Sequence, residues 1–342
     1  MGGNLRSVAR GTNPLGVMPT MAGDLAAVER ELLASVTSEN PFLTEIASHL
    51  ITAGGKRIRP GFCIASAATA LTADAPAEHD VVRGGAAVEL VHLGSLYHDD
   101  VMDDATSRHF VESVNVLWGN HKAILAGDFL LARASEIGAA LGVEVAGLLG
   151  ATISRLVEGQ ILELQHLYDT GRGEESYWRS IDGKTASLLA TACRIGGIVA
   201  GLPRDQIETL TTFGRAYGTA FQIVDDVLDL VSSDADMGKP TGHDMAEGVY
   251  TLPVILCLGT PAAEELLPLL GPEMTEADRL EAARLVRGSD AIDESIALAA
   301  HHARGARDAL ADMPPSPGIR GLNAAADYLV DSVSEAASPT IG

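Results

Sequence analysis

Aromatic residues are scarce: Phe, Trp and Tyr make up 4% of the 342 residues, while Ala, Leu, Val and Ile dominate a chain that is 46% hydrophobic. Strand-rich chains lean on aromatic and β-branched side chains, whereas Ala and Leu favour helix. Cysteine is nearly absent. Cys63, Cys193 and Cys257 lie far apart in apolar segments with no C-x-x-C spacing, which argues against a disulfide framework or a zinc site and suits a reducing compartment. Positive charge is also short, with 24 Lys and Arg against 46 Asp and Glu, a formal net charge of −22. A polyanion repels nucleic acid and anionic lipid, so neither is expected as a partner. No run of the roughly 18 apolar residues that a membrane span requires is evident. The first residues, with Arg6 and Arg10 among Gly, Asn and Pro, lack the apolar core of a signal peptide. The expectation is a cytoplasmic protein with no integral membrane segment, and with residues 1–22 as a disordered or loosely ordered tail.

What is present is helical periodicity. Apolar residues recur at three- and four-residue spacing through Leu25, Val28, Leu32 and Leu33, and again through Val82, Ala86 and Leu90. Breaks are short, at 38–41, 72–76, 169–173 and 232–242. Thr275 followed by Asp278 resembles a capping box, Gly288 closes that helix, and Asp290 starts another. No hairpin pattern, tandem repeat or dividing linker is evident. The fold class expected is all-α: a single-domain bundle of ten or more helices over residues 23–338, building its site around a central cavity from side chains on facing helices.

Two acidic triads carry the chemistry. Asp99, Asp100 and Asp103 lie in His98-Asp-Asp-Val-Met-Asp-Asp104; at i and i+4 of a helix, Asp99 and Asp103 point the same way and repel, which calls for cations. Mg²⁺ suits such a cluster, since it takes one or two carboxylates and bridges to phosphate oxygens. One acidic triad in an acidic chain reads equally well as a solvated face. The second, Asp225, Asp226 and Asp229, repeats the spacing within Phe221-Gln-Ile-Val-Asp-Asp-Val-Leu-Asp-Leu-Val231, where the neighbours are hydrophobic and buried carboxylates need metal or positive partners. Two matching triads imply metal ions shared around a polyanionic ligand.

Positive groups complete the pattern. Gly54-Gly-Lys-Arg-Ile-Arg-Pro60 sets Lys56 and Arg59 three residues apart, on one face if helical, with Pro60 suited to a first helical turn. Glycines, cations and a helix N-terminus make an anion site, although a basic surface turn would look the same. The nucleotide P-loop is excluded because Arg57 follows the lysine where Ser or Thr is required. Arg108 lies past the first triad, Lys184-Thr185 sits in a helical stretch, and Gly238-Lys239-Pro240 follows the second triad. His92 lies two helical turns before Asp99, within reach of a ligand; His98 reads as an ordinary histidine.

With these residues in this order, from about Gly54 to Pro253 and including Gly127-Asp128-Phe129, Phe221-Gln222 and Thr251-Leu252-Pro253, the chain resembles the trans-prenyl diphosphate synthases of the polyprenyl synthetase family. The resemblance implies the isoprenoid synthase fold, usually a homodimer. It implies roughly three Mg²⁺ ions with bound diphosphate, held by Asp99, Asp103 and Asp225, with Asp100, Asp226 and Asp229 as the remaining metal-ligand candidates. By the same resemblance Arg108, Lys184 and Lys239 contact the allylic diphosphate, and Lys56, Arg59 and His92 bind isopentenyl diphosphate. Thr185 and Gln222 join the candidate substrate-binding set.

The departures all remove positive charge. His109 stands where a second arginine is usual, Val249 where a lysine is usual, and the C-terminus is not basic. A neutral histidine cannot grip phosphate with two prongs, so weak isopentenyl diphosphate binding, or an altered second substrate, is expected. Gly94 and Ser95, five and four residues before Asp99, are small where short-chain relatives place an aromatic floor. With roughly 5.4 Å per helical turn, close to one isoprene unit, a product of about C20 or longer is expected unless Tyr97 or another side chain closes the tunnel. The alternatives are a class I terpene synthase, which usually lacks this second motif, and a non-catalytic or modified subunit of a prenyl synthase.

Overall fold

The structure is a computed structural model that describes residues 13–108, 111–231 and 241–336. His109 and Lys239, together with Gly238 and Pro240, lie outside the described residues. The principal helices are α1 (Met21–Ser35), α2 (Pro41–Thr52), α3 (Ile58–Ala67), α4 (His79–Met102), α5 (Asn120–Leu141), α6 (Val143–Gln165), α7 (Glu174–Ile181), α8 (Ser187–Val199), α9 (Arg204–Val231), α10 (Leu252–Leu258), α11 (Glu276–Arg287), α12 (Ala291–Ala309) and α13 (Pro317–Ala336). A turn of π-helix, Asp182–Ala186, joins α7 to α8. The all-α expectation holds.

Strand is confined, among the described residues, to a two-stranded antiparallel ribbon, β1 (Ser107–Arg108) and β2 (Val111–Glu112). Strands of two residues are too short to imprint an alternating pattern, which is why the sequence did not announce them.

Side chains at helical spacing make the core. On α9, Ile207, Leu210, Phe213, Tyr217, Ala220, Val224 and Val227 are buried, and Phe213 and Tyr217 pack on Phe62 of α3 at ring-centroid distances of 5.7 and 4.5 Å. The few aromatics are thus concentrated inside: Tyr97, Tyr177, Tyr217 and Tyr250 are all buried. The apolar core is one continuous cluster from Leu15 to Leu329. Leu15 and Met18, in the segment expected to be a tail, are buried in it, lying over Gly61 and Gly321. The capping box of Thr275 and Asp278 is formed.

Two close helix contacts position the site. Gly159 of α6 and Gly218 of α9 flank the π-turn: a Cβ on Gly159 would stand 3.0 Å from the Lys184 amide nitrogen, and one on Gly218 would stand 2.7 Å from Ala186 Cα. These small residues let backbones approach and seat Lys184 and Thr185 between the two helices. Where α4 crosses α5, a Cβ on Gly94 would lie 3.1 Å from the Gly127 carbonyl oxygen, and also 3.1 Å from Leu131.

Helix α6 is, by length and composition alone, apolar enough to cross a membrane. Arg155, Glu158 and Glu163 interrupt it. Its Val145, Leu149, Thr152 and Gly159 pack inward, while Val157 and Ile161 are exposed.

Candidate active site

The first triad sits at the C-terminal end of α4. The helix stops at Met102; the Asp103 amide still donates to the Asp99 carbonyl at 2.9 Å, and Asp104 turns into the left-handed region at φ 47°. Asp99 is half-buried, Asp103 exposed and Asp100 fully buried. The triad therefore divides. Arg108 on β1 donates to Asp100 Oδ1 through Nε at 2.8 Å and Nη2 at 2.7 Å, and Asn115 Nδ2 donates to the Asp100 carbonyl at 2.9 Å. Asp100, named among the remaining metal-ligand candidates, anchors Arg108 through Oδ1 and is turned inward because position i+1 lies about 100° round the helix from i.

The second triad divides likewise. Asp225 is exposed, while Asp226 and Asp229 are buried. Asp226 accepts from Tyr177 Oη at 2.6 Å and from Gln222 Nε2 at 2.8 Å, and Gln222 Oε1 accepts from the Thr185 hydroxyl at 2.6 Å. Neutral donors hold Asp226, with the Arg172 guanidinium near enough to feel its charge, and burial pushes it well above the usual carboxylate range. Thr185 and Gln222 are committed to this network. Asp229 Oδ2 accepts from the Asp244 amide at 3.4 Å and its carbonyl from the Gly242 amide at 2.8 Å, so Asp229 ties α9 to the short helix His243–Ala246.

Charge alternates between the motifs. Lys184 Nζ pairs with Glu163 of α6. Burial alone would depress this ammonium, but Glu163, Asp99 and Asp103 raise it. Desolvation raises Asp99, opposed by Lys184 and Arg108. Asp103 is pushed up to about 6 by desolvation, then by the charges of Asp99 and Glu247. Arg172, buried, donates to the Tyr250 carbonyl at 3.1 Å and lies 6.0 Å from the centre of the Tyr177 ring; burial lowers it, while Glu163 and Asp226 hold it up. Lys184, Glu163, Arg172, Tyr177 and Asp226 thus form a continuous wall from one triad to the other.

The basic loop arrives on the same side. Gly54 has φ 85° and Arg57 φ 46°, so the chain coils left-handedly before α3 begins at Ile58. Lys56 consequently lies ahead of the helix, and the shared face expected for Lys56 and Arg59 does not form. Lys56 is exposed; partial burial lowers its ammonium and Asp225 raises it, which sets it beside the second triad. Arg59 is half-buried, and its Nε is closed off without a hydrogen-bond partner among the described residues. His92 is half-buried on α4, and its carbonyl accepts from the Ser95 hydroxyl at 2.8 Å.

Ser95 and Gly94 face different ways. Ser95 is half-buried, one turn before Asp99 on the same side of α4, whereas Gly94 is buried in the crossing with α5. The expectation of Gly94 as a floor residue is corrected: an aromatic there would collide with Gly127 and Leu131. Tyr97 is buried, and its hydroxyl donates to the Ile46 carbonyl of α2 at 2.7 Å.

Among the described residues no three carboxylate, histidine or cysteine side chains already converge as a metal cage. Exposed or half-buried carboxylate oxygens on Asp99, Asp103 and Asp225 fit a Mg²⁺-type ion, which takes few protein ligands and keeps waters or phosphate oxygens.

Residues 40–285 match the sequence pattern of the polyprenyl synthetase family. The chain belongs to that family. This polyprenyl synthetase is a transferase, a prenyl diphosphate synthase. It is 40% identical over 309 residues to a nonaprenyl diphosphate synthase of Mycobacterium tuberculosis, spanning 90% of this chain and 91% of the relative. It is 37% identical over 306 residues to heptaprenyl diphosphate synthase component 2 of Geobacillus stearothermophilus, spanning 88% and 93%. A polyprenyl synthase of Caulobacter crescentus, solved with calcium and isoprenyl diphosphate, superposes with a TM-score of 0.86 at 34% identity, over 94% of this polyprenyl synthetase and 98% of that chain.

Sequence reasoning missed Glu163, Arg172, Tyr177 and the partners of Arg57. Glu163 and Glu89 carried a signal, a carboxylate inside an apolar helical run. Arg172, in a Gly-rich turn, carried none.

Proposed function

We propose that this synthase condenses isopentenyl diphosphate with an allylic diphosphate on the wall between the two triads. The observation that supports it is the division of each triad. Asp99, Asp103 and Asp225 are the less buried members, with Lys184 and Arg108 near the first two and Lys56 near the third, while Asp100, Asp226 and Asp229 are buried. Asp99, Asp103 and Asp225 would hold Mg²⁺, which supplies charge neutralisation for a departing diphosphate. Lys184 and Arg108 add fixed positive charge where the C–O bond of the allylic substrate ionises. Lys56 and Arg59 bind the second diphosphate, and apolar side chains keep water from the carbocation until the isopentenyl double bond attacks and a proton leaves. Arg108 serves through the geometry that Asp100 imposes.

Half-buried, small Ser95 one turn before Asp99, and relatives named for nona- and heptaprenyl products, support a long product. Exposed Ile124, Leu125, Val157 and Ile161 on the outer faces of α5 and α6 suit burial against a second copy of the chain. The reading is of a homodimer working in the cytoplasm.

The test is incubation of the purified chain with isopentenyl diphosphate, Mg²⁺ and dimethylallyl, geranyl or farnesyl diphosphate in turn, reading product mass. Elongated prenyl diphosphates are expected; ionised or cyclised allylic products alone would count against the reading. The Geobacillus relative is by name one component of a synthase, so turnover only on adding a second protein would mark a two-component enzyme.

Metal binding carries a pH signature. Between the ordinary aspartate value of 3.8 and about 6, folded Asp103 keeps a proton that the unfolded chain has released. Ionising Asp103 therefore costs folded-state stability as pH rises through that window, and a bound cation offsets that cost. Mg²⁺ with inorganic diphosphate is expected to raise the melting temperature more at about pH 7.5 than at about pH 5. Equal shifts at both would remove Asp103 from the metal site.

A further inference from the structure

Arg57 entered the sequence reading only as the residue that spoils a P-loop, yet it is the most heavily tied side chain in the basic loop. Its side chain is 3% exposed. Nε donates to Glu29 Oε1 at 2.5 Å and Nη2 to Glu29 Oε2 at 3.3 Å. Nη1 donates to Glu89 Oε1 at 2.9 Å, and Nη2 also reaches the Ile51 carbonyl at 2.9 Å. One guanidinium thus joins α1 (Glu29), the end of α2 (Ile51) and α4 (Glu89) to the loop that precedes α3. Its backbone is left-handed, a conformation that a non-glycine residue holds only where its surroundings over-determine it.

The residues on either side are the two expected to bind isopentenyl diphosphate. Lys56 is exposed and coupled to Asp225, and Arg59 is half-buried close enough to Glu89 to feel its charge. Glu89 lies three residues before His92, one helical turn along α4, so the same carboxylate registers the loop against the third member of that set. A buried ion pair contributes little net stability; here four guanidinium hydrogen bonds to three distinct groups fix its direction, while Glu89 Oε2 is buried with no hydrogen-bond partner among the described residues. The substrate-facing groups on the loop are flexible or end-on cations, which gain most from a rigid mount.

We propose that Arg57, clamped by Glu29 and Glu89, is a positioning residue for the isopentenyl diphosphate subsite: it touches no substrate and sets the placement of Lys56 and Arg59. The inference rests on the two-diphosphate reading above and deepens it. None of the clamp's partners, Glu29, Ile51 and Glu89, belongs to the set proposed for the allylic diphosphate, so the larger effect falls on isopentenyl diphosphate.

Arg57→Met and Arg57→Lys are compared with the parent chain by elongation kinetics and by calorimetric binding of isopentenyl diphosphate. Arg57→Met is expected to raise KM and Kd for isopentenyl diphosphate about tenfold or more, with KM for farnesyl diphosphate within about twofold. Arg57→Lys keeps the charge, but one ammonium cannot span both carboxylates and the Ile51 carbonyl, so it should recover only part of the loss. Glu29→Gln is the second probe, in a chain that retains the Arg57–Glu89 pair; a rise of about threefold for isopentenyl diphosphate alone is expected even if Arg57→Met does not fold. Equal rises in both Michaelis constants, full recovery by lysine, or no change in Glu29→Gln would overturn the clamp. A parent chain that elongates, or binds isopentenyl diphosphate, with variants unchanged sinks the clamp and leaves the functional reading standing. A parent that does neither sinks both.

Discussion

Asp99→Asn is expected to lower the elongation rate by about three orders of magnitude, while Asp226→Asn chiefly lowers stability. Asp99 is half-buried beside Lys184 and Arg108, its ionised form disfavoured by desolvation and by Glu163 and Asp100, so its charge is held in place for a cation. Losing one preorganised electrostatic contact to a developing charge costs about 10²–10³ in rate, and losing a metal ligand costs more. Asp226 is closed to solvent and bound by Tyr177 and Gln222. An amide there keeps one acceptor and turns a donor toward a donor, a buried mismatch worth about 1–3 kcal/mol. Mg²⁺ titrations of the rate, with thermal melts, separate the two. If Asp226→Asn moved the Mg²⁺ half-saturation further than Asp99→Asn, the division of the triads would be wrong.

Ser95→Phe is expected to shorten the product by one or more isoprene units, and Gly94→Phe to unfold the chain. The two positions are adjacent in sequence but about 100° apart round α4. Ser95 shares the side of Asp99 and is half-buried; a ring there occupies space that a growing apolar chain would otherwise fill. A Cβ on Gly94 would already stand 3.1 Å from both the Gly127 carbonyl and Leu131, and the rest of a ring has no room between two packed backbones. Overpacking by even a methylene or two costs about 1–3 kcal/mol, and a phenyl group far exceeds that. Product mass for the first variant and a denaturant melt for the second are the measurements. A stable Gly94→Phe enzyme with truncated product would return Gly94 to the cavity wall.

Helical periodicity, scarce aromatics and short breaks were enough to announce an all-helical chain, because helix is encoded locally by spacing and propensity. The capping box at Thr275 was legible for the same reason. The spacing of the two aspartate motifs and the basic loop named the chemistry, since carboxylates and cations repeated in apolar settings have few other uses. The resemblance put Asp99, Asp103 and Asp225 first among the six, but which carboxylates are buried was not legible from spacing. Residues i and i+1 are equivalent in a string of letters, and only packing against Arg108 on one side and Tyr177 on the other turns Asp100 and Asp226 inward. The same holds for Gly94 against Ser95, and for Arg57, whose partners Glu29 and Glu89 lie 28 and 32 residues away. Composition and spacing determined the helices and the chemical class; tertiary contacts decided which of the candidate side chains are buried and paired and which lie nearer the surface, because burial and pairing are properties of neighbours distant in the chain.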